Sequence, residues 1–132
     1  ASTMDLLPTI ATITGTPLPA DRLIDGIDIS ALLTGGADSP RKEFLYYHKG
    51  GRIEGIREGD WKLLVKYPED KKGLDLTAEP KLMLFNLKDD LGEQNNLAAE
   101  TPELVEHLRQ RMLDLDAAIE AGARPAWKKS RA

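Results

Sequence analysis

The sequence contains no cysteine, so disulfides, thiolate-bound metals and a cysteine nucleophile are excluded. A basic excess is missing too: 18 lysines and arginines stand against 22 aspartates and glutamates, for a formal net charge of −4. Nucleic-acid-binding domains carry a basic face that neutralises phosphates, so no nucleic-acid partner is expected. The one basic stretch, Arg124 to Arg131, reads as a solvated tail. No apolar run approaches the roughly 20 residues that cross a bilayer, and no membrane partner is expected. The opening residues Ala1-Ser2-Thr3-Met4-Asp5 have neither the basic start nor the apolar stretch of a signal peptide, and read as an internal or truncated start.

What is present describes an ordinary globular protein, 41% hydrophobic and 30% charged. At 132 residues there is room for one small domain plus pieces. Leu6, Leu7, Ile10 and Ile13 fall on one helical face, with Pro8 suited to a first turn and Gly15 to the residue after the last. A short helix is expected from about Pro8 to Thr14, its apolar face held by tertiary packing rather than by propensity. From Thr16 to Pro40, Asp25-Gly26 and Gly35-Gly36 mark turns, and only Ile29 to Leu33 suits a helical turn. This segment reads as a connection laid over a surface outside the chain.

At Phe44 the period shortens. Phe44–His48, Ile53–Arg57, Trp61–Val65 and Leu82–Asn86 are short, branched or aromatic, and bounded by Gly, Asp or Pro. The first three have hairpin-length connections and should form an antiparallel meander. The stretch from Lys66 to Lys81 reads as too polar to pack. Thr101-Pro102-Glu103 then opens a helix, Val105, Leu108, Met112, Leu115 and Ile119 recur at steps of 3 and 4, and Gly122 ends it. The expected fold class is α+β: a four-stranded antiparallel sheet against one long C-terminal helix, preceded by a short helix and an extended segment. The chain divides on this reading into 1–40, 41–122 and a basic tail, 123–132. A unit of about 80 residues removes only roughly 60–65% of its unfolded surface from water, so contact with a larger neighbour would add stability.

Four segments carry a family resemblance in order and spacing: Asp5-Leu6-Leu7-Pro8-Thr9-Ile10 with Gly15, Asp25 to Ile29 with Leu32 to Gly35, Gly55 to Leu63, and Leu84 to Ala98. Together they resemble the C-terminal part of arylsulfatase-type sulfatases, formylglycine-dependent members of the alkaline phosphatase superfamily. The resemblance implies that residues 1–40 close the catalytic α/β domain and that 41–122 form the C-terminal subdomain. The partner it implies is the N-terminal catalytic domain, which would hold the calcium and the formylglycine; no cofactor is expected in this chain. Ser2, Ser30, Ser39 and Ser130 all lack the Ser-x-Pro-x-Arg context from which formylglycine is made. His48 to Ile56 resembles the family's catalytic lysine segment but follows the Asp-Leu-x-Pro-Thr helix instead of preceding it, so Lys49 is assigned no catalytic role.

The candidate site is the rim of the substrate pocket: Tyr47, His48, Lys49 and Arg52, clustered at the first hairpin, combine an aromatic face with donors suited to a sugar or aryl sulfate. The plainer reading of the cluster is a solvated hairpin. The loop Asp89 to Asn96 reads as a turn whose side chains bond their own backbone, with no tight calcium site. Trp61 reads as a packing residue beside a solvated Lys62. An uncovered apolar face on the first helix would favour self-association. Two other functions fit the chain: a stand-alone binding module, or the C-terminal part of a related phosphodiesterase or phosphonate hydrolase.

Overall fold

The computed structural model describes residues 1–48, 51–70, 73–75 and 78–122. The chain resolves into two compact units, Ala1–Glu43 and Phe44–Ala132.

In the first unit a 3-10 turn, Thr3–Asp5, leads into helix α1, Leu6–Thr14. The unit is organised around a carboxylate: Asp5 is fully buried. Its oxygens accept hydrogen bonds from the Ser2 N–H at 2.7 Å and the Ile27 N–H at 2.9 Å, and they pair with the Arg41 guanidinium. Arg41 also donates to the Asp25 carbonyl at 3.2 Å. Thr9, equally buried, donates its hydroxyl to the Asp5 carbonyl at 2.6 Å and accepts from the Ile29 N–H at 3.0 Å. Residues 25–29 are therefore stitched to α1 through backbone groups, and are not the bare connection the sequence suggests. Gly26 permits the close approach, since a Cβ there would lie 2.0 Å from the Met4 carbonyl oxygen. Gly15 ends α1 at φ 67, with the Thr16 N–H bonding the Ala11 carbonyl at 2.9 Å. A single turn, α2, spans Ser30–Leu33, and Asp28 accepts from its first N–H at 2.8 Å.

Helix α1 starts two residues before Pro8, because the preceding 3-10 turn already sets helical geometry at Asp5 and Leu6. Its buried side consists of Pro8, Thr9 and Ala11. The apolar residues read as its packing face, Leu6, Leu7, Ile10 and Ile13, are 54%, 53%, 56% and 67% exposed.

The second unit holds strands β1 (Glu43–Tyr47, beginning at the unit boundary), β2 (Ile53–Glu58), β3 (Trp61–Lys66), β4 (Glu69–Asp70), β5 (Gly73–Leu74) and β6 (Lys81–Asn86), then helix α3 (Pro102–Gly122). The main sheet has the order β1-β2-β3-β6. Register places Ile56 opposite Leu63 and Leu63 opposite Leu84, so three fully buried side chains line up on one face. Helix α3 sets Val105, Leu108 and Met112 into the same core cluster. Burying each such aliphatic side chain stabilises the fold by about 1.5–3 kcal/mol. The buried part of the helical stripe ends at Leu115: Ile119 is 52% exposed.

Between β3 and β6 the polar stretch is structured in part. Strands β4 and β5 pair as a small antiparallel ribbon, and Tyr67 packs against the core. One aromatic ring supplies the apolar surface that the charged neighbours conceal in the composition. Lys62 likewise departs from the solvated role read for it: its Nζ meets Glu93 at 2.6 Å and lies 4.9 Å from the centre of the Tyr46 ring. In the loop after β6 the left-handed backbone falls on Glu93 (φ 54) and not on a glycine or asparagine. Its side chains do bond backbone as expected, Asp90 accepting from the Asn95 N–H at 2.7 Å and Asn96 from the Leu84 N–H at 2.9 Å.

Candidate functional site

The β1–β2 hairpin carries the residues read as a pocket rim. Its arms converge where the His48 N–H donates to the Arg52 carbonyl at 2.7 Å and the Gly51 N–H donates back to the His48 carbonyl at 2.8 Å. Gly51, at φ 81, gives the turn its left-handed corner. Lys49 lies outside the described residues.

Tyr47 leads into the turn from the end of β1, at the edge of the sheet, and its hydroxyl donates to Asp116 of α3 at 2.8 Å. Burial pushes the phenol up to about 12, and the hydrogen bond to the Asp116 carboxylate adds to the shift. Tyr47 is consequently a neutral hydrogen-bond donor at any ordinary pH. Arg52 leads out of the turn. Its guanidinium sits 5.0 Å from the centre of the Tyr67 ring, its Nη2 lies 3.3 Å from Glu54, and its Nε is buried without a hydrogen-bond partner. His48, half-buried, stands between these two anchored residues. Tyr47, His48 and Arg52 thus come together in one hairpin, with the Tyr47 hydroxyl, the Arg52 Nη2 and the His48 backbone all engaged with their own fold.

Two partners of the site escaped the sequence reading. Tyr67 was signalled only as a lone aromatic in a polar stretch. Asp116 lies 69 positions from Tyr47 and gave no local sign.

The acidic loop after β6 is engaged internally as well. Asp89 accepts from the Asn86 amide at 2.8 Å, Asp90 from the Asn95 N–H and Glu93 from Lys62. Among the described residues no group of three or more histidine, aspartate or glutamate side chains is placed to hold a metal ion. No helix among them is long and apolar enough to cross a membrane.

No family model matches the chain. Curated relatives do. Human arylsulfatase A is 34% identical over an alignment covering 92% of this chain and 28% of that protein, and mouse steryl-sulfatase is 31% identical over 91% of this chain and 22% of its own length. A solved sulfatase from Pseudoalteromonas sp. matches the fold with a TM-score of 0.67 at 19% identity, covering 92% of this chain and 26% of that one. The chain spans about a quarter of the length of the curated relatives it matches. With the antiparallel sheet, the short first helix and the long last helix all in the expected order, the chain belongs to the sulfatases and corresponds to the C-terminal part of an arylsulfatase-type member.

Proposed function

We propose that this chain braces the catalytic domain of an enzyme that hydrolyses sulfate esters, and that its β1–β2 hairpin lines the rim of that enzyme's substrate pocket. On this reading residues 1–40 finish the catalytic domain and 41–122 form the subdomain beside it. The observation that carries the bracing role is the exposed row of Leu6, Leu7, Ile10 and Ile13 on α1, a contiguous apolar surface of the kind that seeks cover. The catalytic domain is the partner that would cover it.

The chemistry of the family needs calcium and a formylglycine, and the residues of this chain fit neither. It has no cysteine and no serine in the required context, and the carboxylates of the loop after β6 are taken up by internal donors. No catalytic step is therefore assigned to it. The purified chain is expected to leave an aryl sulfate unhydrolysed. Turnover above a buffer control that persists through further purification would overturn this assignment.

The rim role is tested at His48, the half-buried residue that opens the hairpin turn. In the full-length enzyme His48→Ala is expected to lower kcat/KM by roughly 1–3 kcal/mol, the scale of one lost polar contact, with the fold unchanged by circular dichroism. An unchanged kcat/KM on the natural substrate would leave a solvated hairpin in its place.

A further inference from the structure

We infer that residues 87–97 form a strap that closes over Phe85 on the back of the main sheet, and that the ion pair of Lys62 with Glu93 is the latch that holds it shut. The strap is a conformational device within the second unit and does not depend on the pocket-rim reading.

Side chains alternate along a strand, so Lys62 and Phe85, partners in register, lie on the face opposite Leu63 and Leu84. Helix α3 packs on the Leu63 and Leu84 side, yet Phe85 is only 5% exposed and lies outside the core cluster that includes α3. The loop after β6 has the path to cover it. It starts tied to the β2–β3 turn, where the Leu87 N–H donates to the Asp60 carbonyl at 2.7 Å. It ends back beside β6, where Asn96 and Leu97 bond the N–H and the carbonyl of Leu84. Between these points Glu93 meets Lys62, which stands on β3, one strand in from the edge. The ion pair therefore bridges the loop to β3 across the back of β6. Both ends of the strap are held by neutral bonds, whereas its middle is held by charge, with side chains 15% and 31% exposed and the Lys62 Nζ set 4.9 Å from the centre of the Tyr46 ring. This latch works against the backbone. Glu93, at φ 54, is among the described residues the one non-glycine residue with positive φ, a conformation that strains a side-chain-bearing residue and that glycine adopts freely. What glutamate offers there and glycine does not is the carboxylate. Strain that favours opening and an ion pair that favours closure make a strap whose state follows the charge interaction.

The test removes one charge at a time and reads amide exchange in this chain. Lys62→Met keeps an apolar stem, and Glu93→Gln keeps the shape of the side chain. Each is expected to speed exchange of the Leu84 and Ala98 amides, whose N–H groups Asn96 accepts, about tenfold, the equivalent of one charged hydrogen bond. The Leu63 amide, on the central strand β3, should keep its wild-type rate. Raising sodium chloride to about 1 M should speed the Leu84 and Ala98 amides in the wild-type chain and have less effect in Lys62→Met, where there is no latch left to screen. Adding Glu93→Gly to Lys62→Met should slow them again, because glycine takes the turn without strain. Wild-type rates at Leu84 and Ala98 in both single variants would overturn the inference. So would an acceleration that Leu63 shares in full, since that marks opening of the whole sheet and not release of a strap.

Discussion

Replacing Asp5 with alanine or asparagine is expected to release residues 25–29 from α1, at a cost of about 3–5 kcal/mol, the scale for removing one partner of a buried ion pair. Asparagine should do nearly as badly as alanine. It keeps the shape of the side chain but loses the charge opposite Arg41, and its amide nitrogen would face donors: the Ser2 N–H, the Ile27 N–H and the guanidinium all need an acceptor. Removing Arg41 as well should cost less than the sum of the single changes, since the two side chains depend on each other. Amide exchange at Ile27 and Ile29 reads the loss directly, because those N–H groups bond to Asp5 and Thr9. Wild-type protection at both positions in Asp5→Asn would show that the carboxylate is not what holds the unit.

The same pair sets a pH dependence. The hydrogen bond from Arg41, together with the Ile27 and Ser2 N–H groups, holds the Asp5 carboxyl well below the usual carboxylate range against the opposing effect of burial. A carboxyl whose folded pKa is depressed stabilises the fold fully above its unfolded value, about 3.9, and loses that contribution as pH falls toward the folded value. The first unit should therefore loosen in acid below about pH 4 and show no such change near neutrality.

Asn96→Ala is expected to cost about 1–3 kcal/mol, because the Leu84 and Ala98 N–H groups lose their acceptor together. Strand β6 is an edge of the main sheet, and the Asn96 side chain closes that edge as a neighbouring strand would. Its oxygen takes the Leu84 N–H at 2.9 Å and the Ala98 N–H at 3.1 Å, while the adjacent Leu97 N–H returns to the Leu84 carbonyl at 2.8 Å. Without the amide, β6 presents an open backbone edge, the usual template for association between sheets. Asn96→Asp retains the accepting oxygen, gives up the longer bond from the Asn96 amide to the Leu82 carbonyl at 3.4 Å, and should lose less. Chemical denaturation gives the stability of both variants, and sedimentation shows whether the alanine variant associates more than the parent. Equal denaturation midpoints for the two would refute the edge-closing role.

The main sheet and the last helix could be read from the sequence because their signals are local. Alternating branched residues bounded by Gly59-Asp60 define β2 and β3, and the spacing of Val105, Leu108 and Met112 defines the buried side of α3. What escaped was set by partners distant in sequence. Asp5 looks like an acid at the start of a helix, and only Arg41, 36 positions on, makes it a buried centre. Lys62 looks like a solvated neighbour of Trp61 until Glu93 arrives from 31 positions away. Helix α1 shows the converse. Apolar spacing marks a surface that wants cover, and within its own unit the chain buries the opposite side of the helix, the Thr9 side. The site followed the same rule: the cluster at the hairpin was legible as residue types, whereas the engagement of Tyr47 and Arg52 depended on Asp116 and Tyr67.

The placement of α3 after all the strands fixes when the core of the second unit can close. Strands β2 and β3 are joined by only Gly59 and Asp60, so they can pair soon after they leave the ribosome. Ile56, Leu63 and Leu84 nevertheless stay open on one face until Val105, Leu108 and Met112 have been made. During synthesis the sheet therefore waits half-dressed through the whole 87–101 loop, and a ribosome that stalls in that interval leaves a sticky aliphatic surface in reach of chaperones or of other nascent chains.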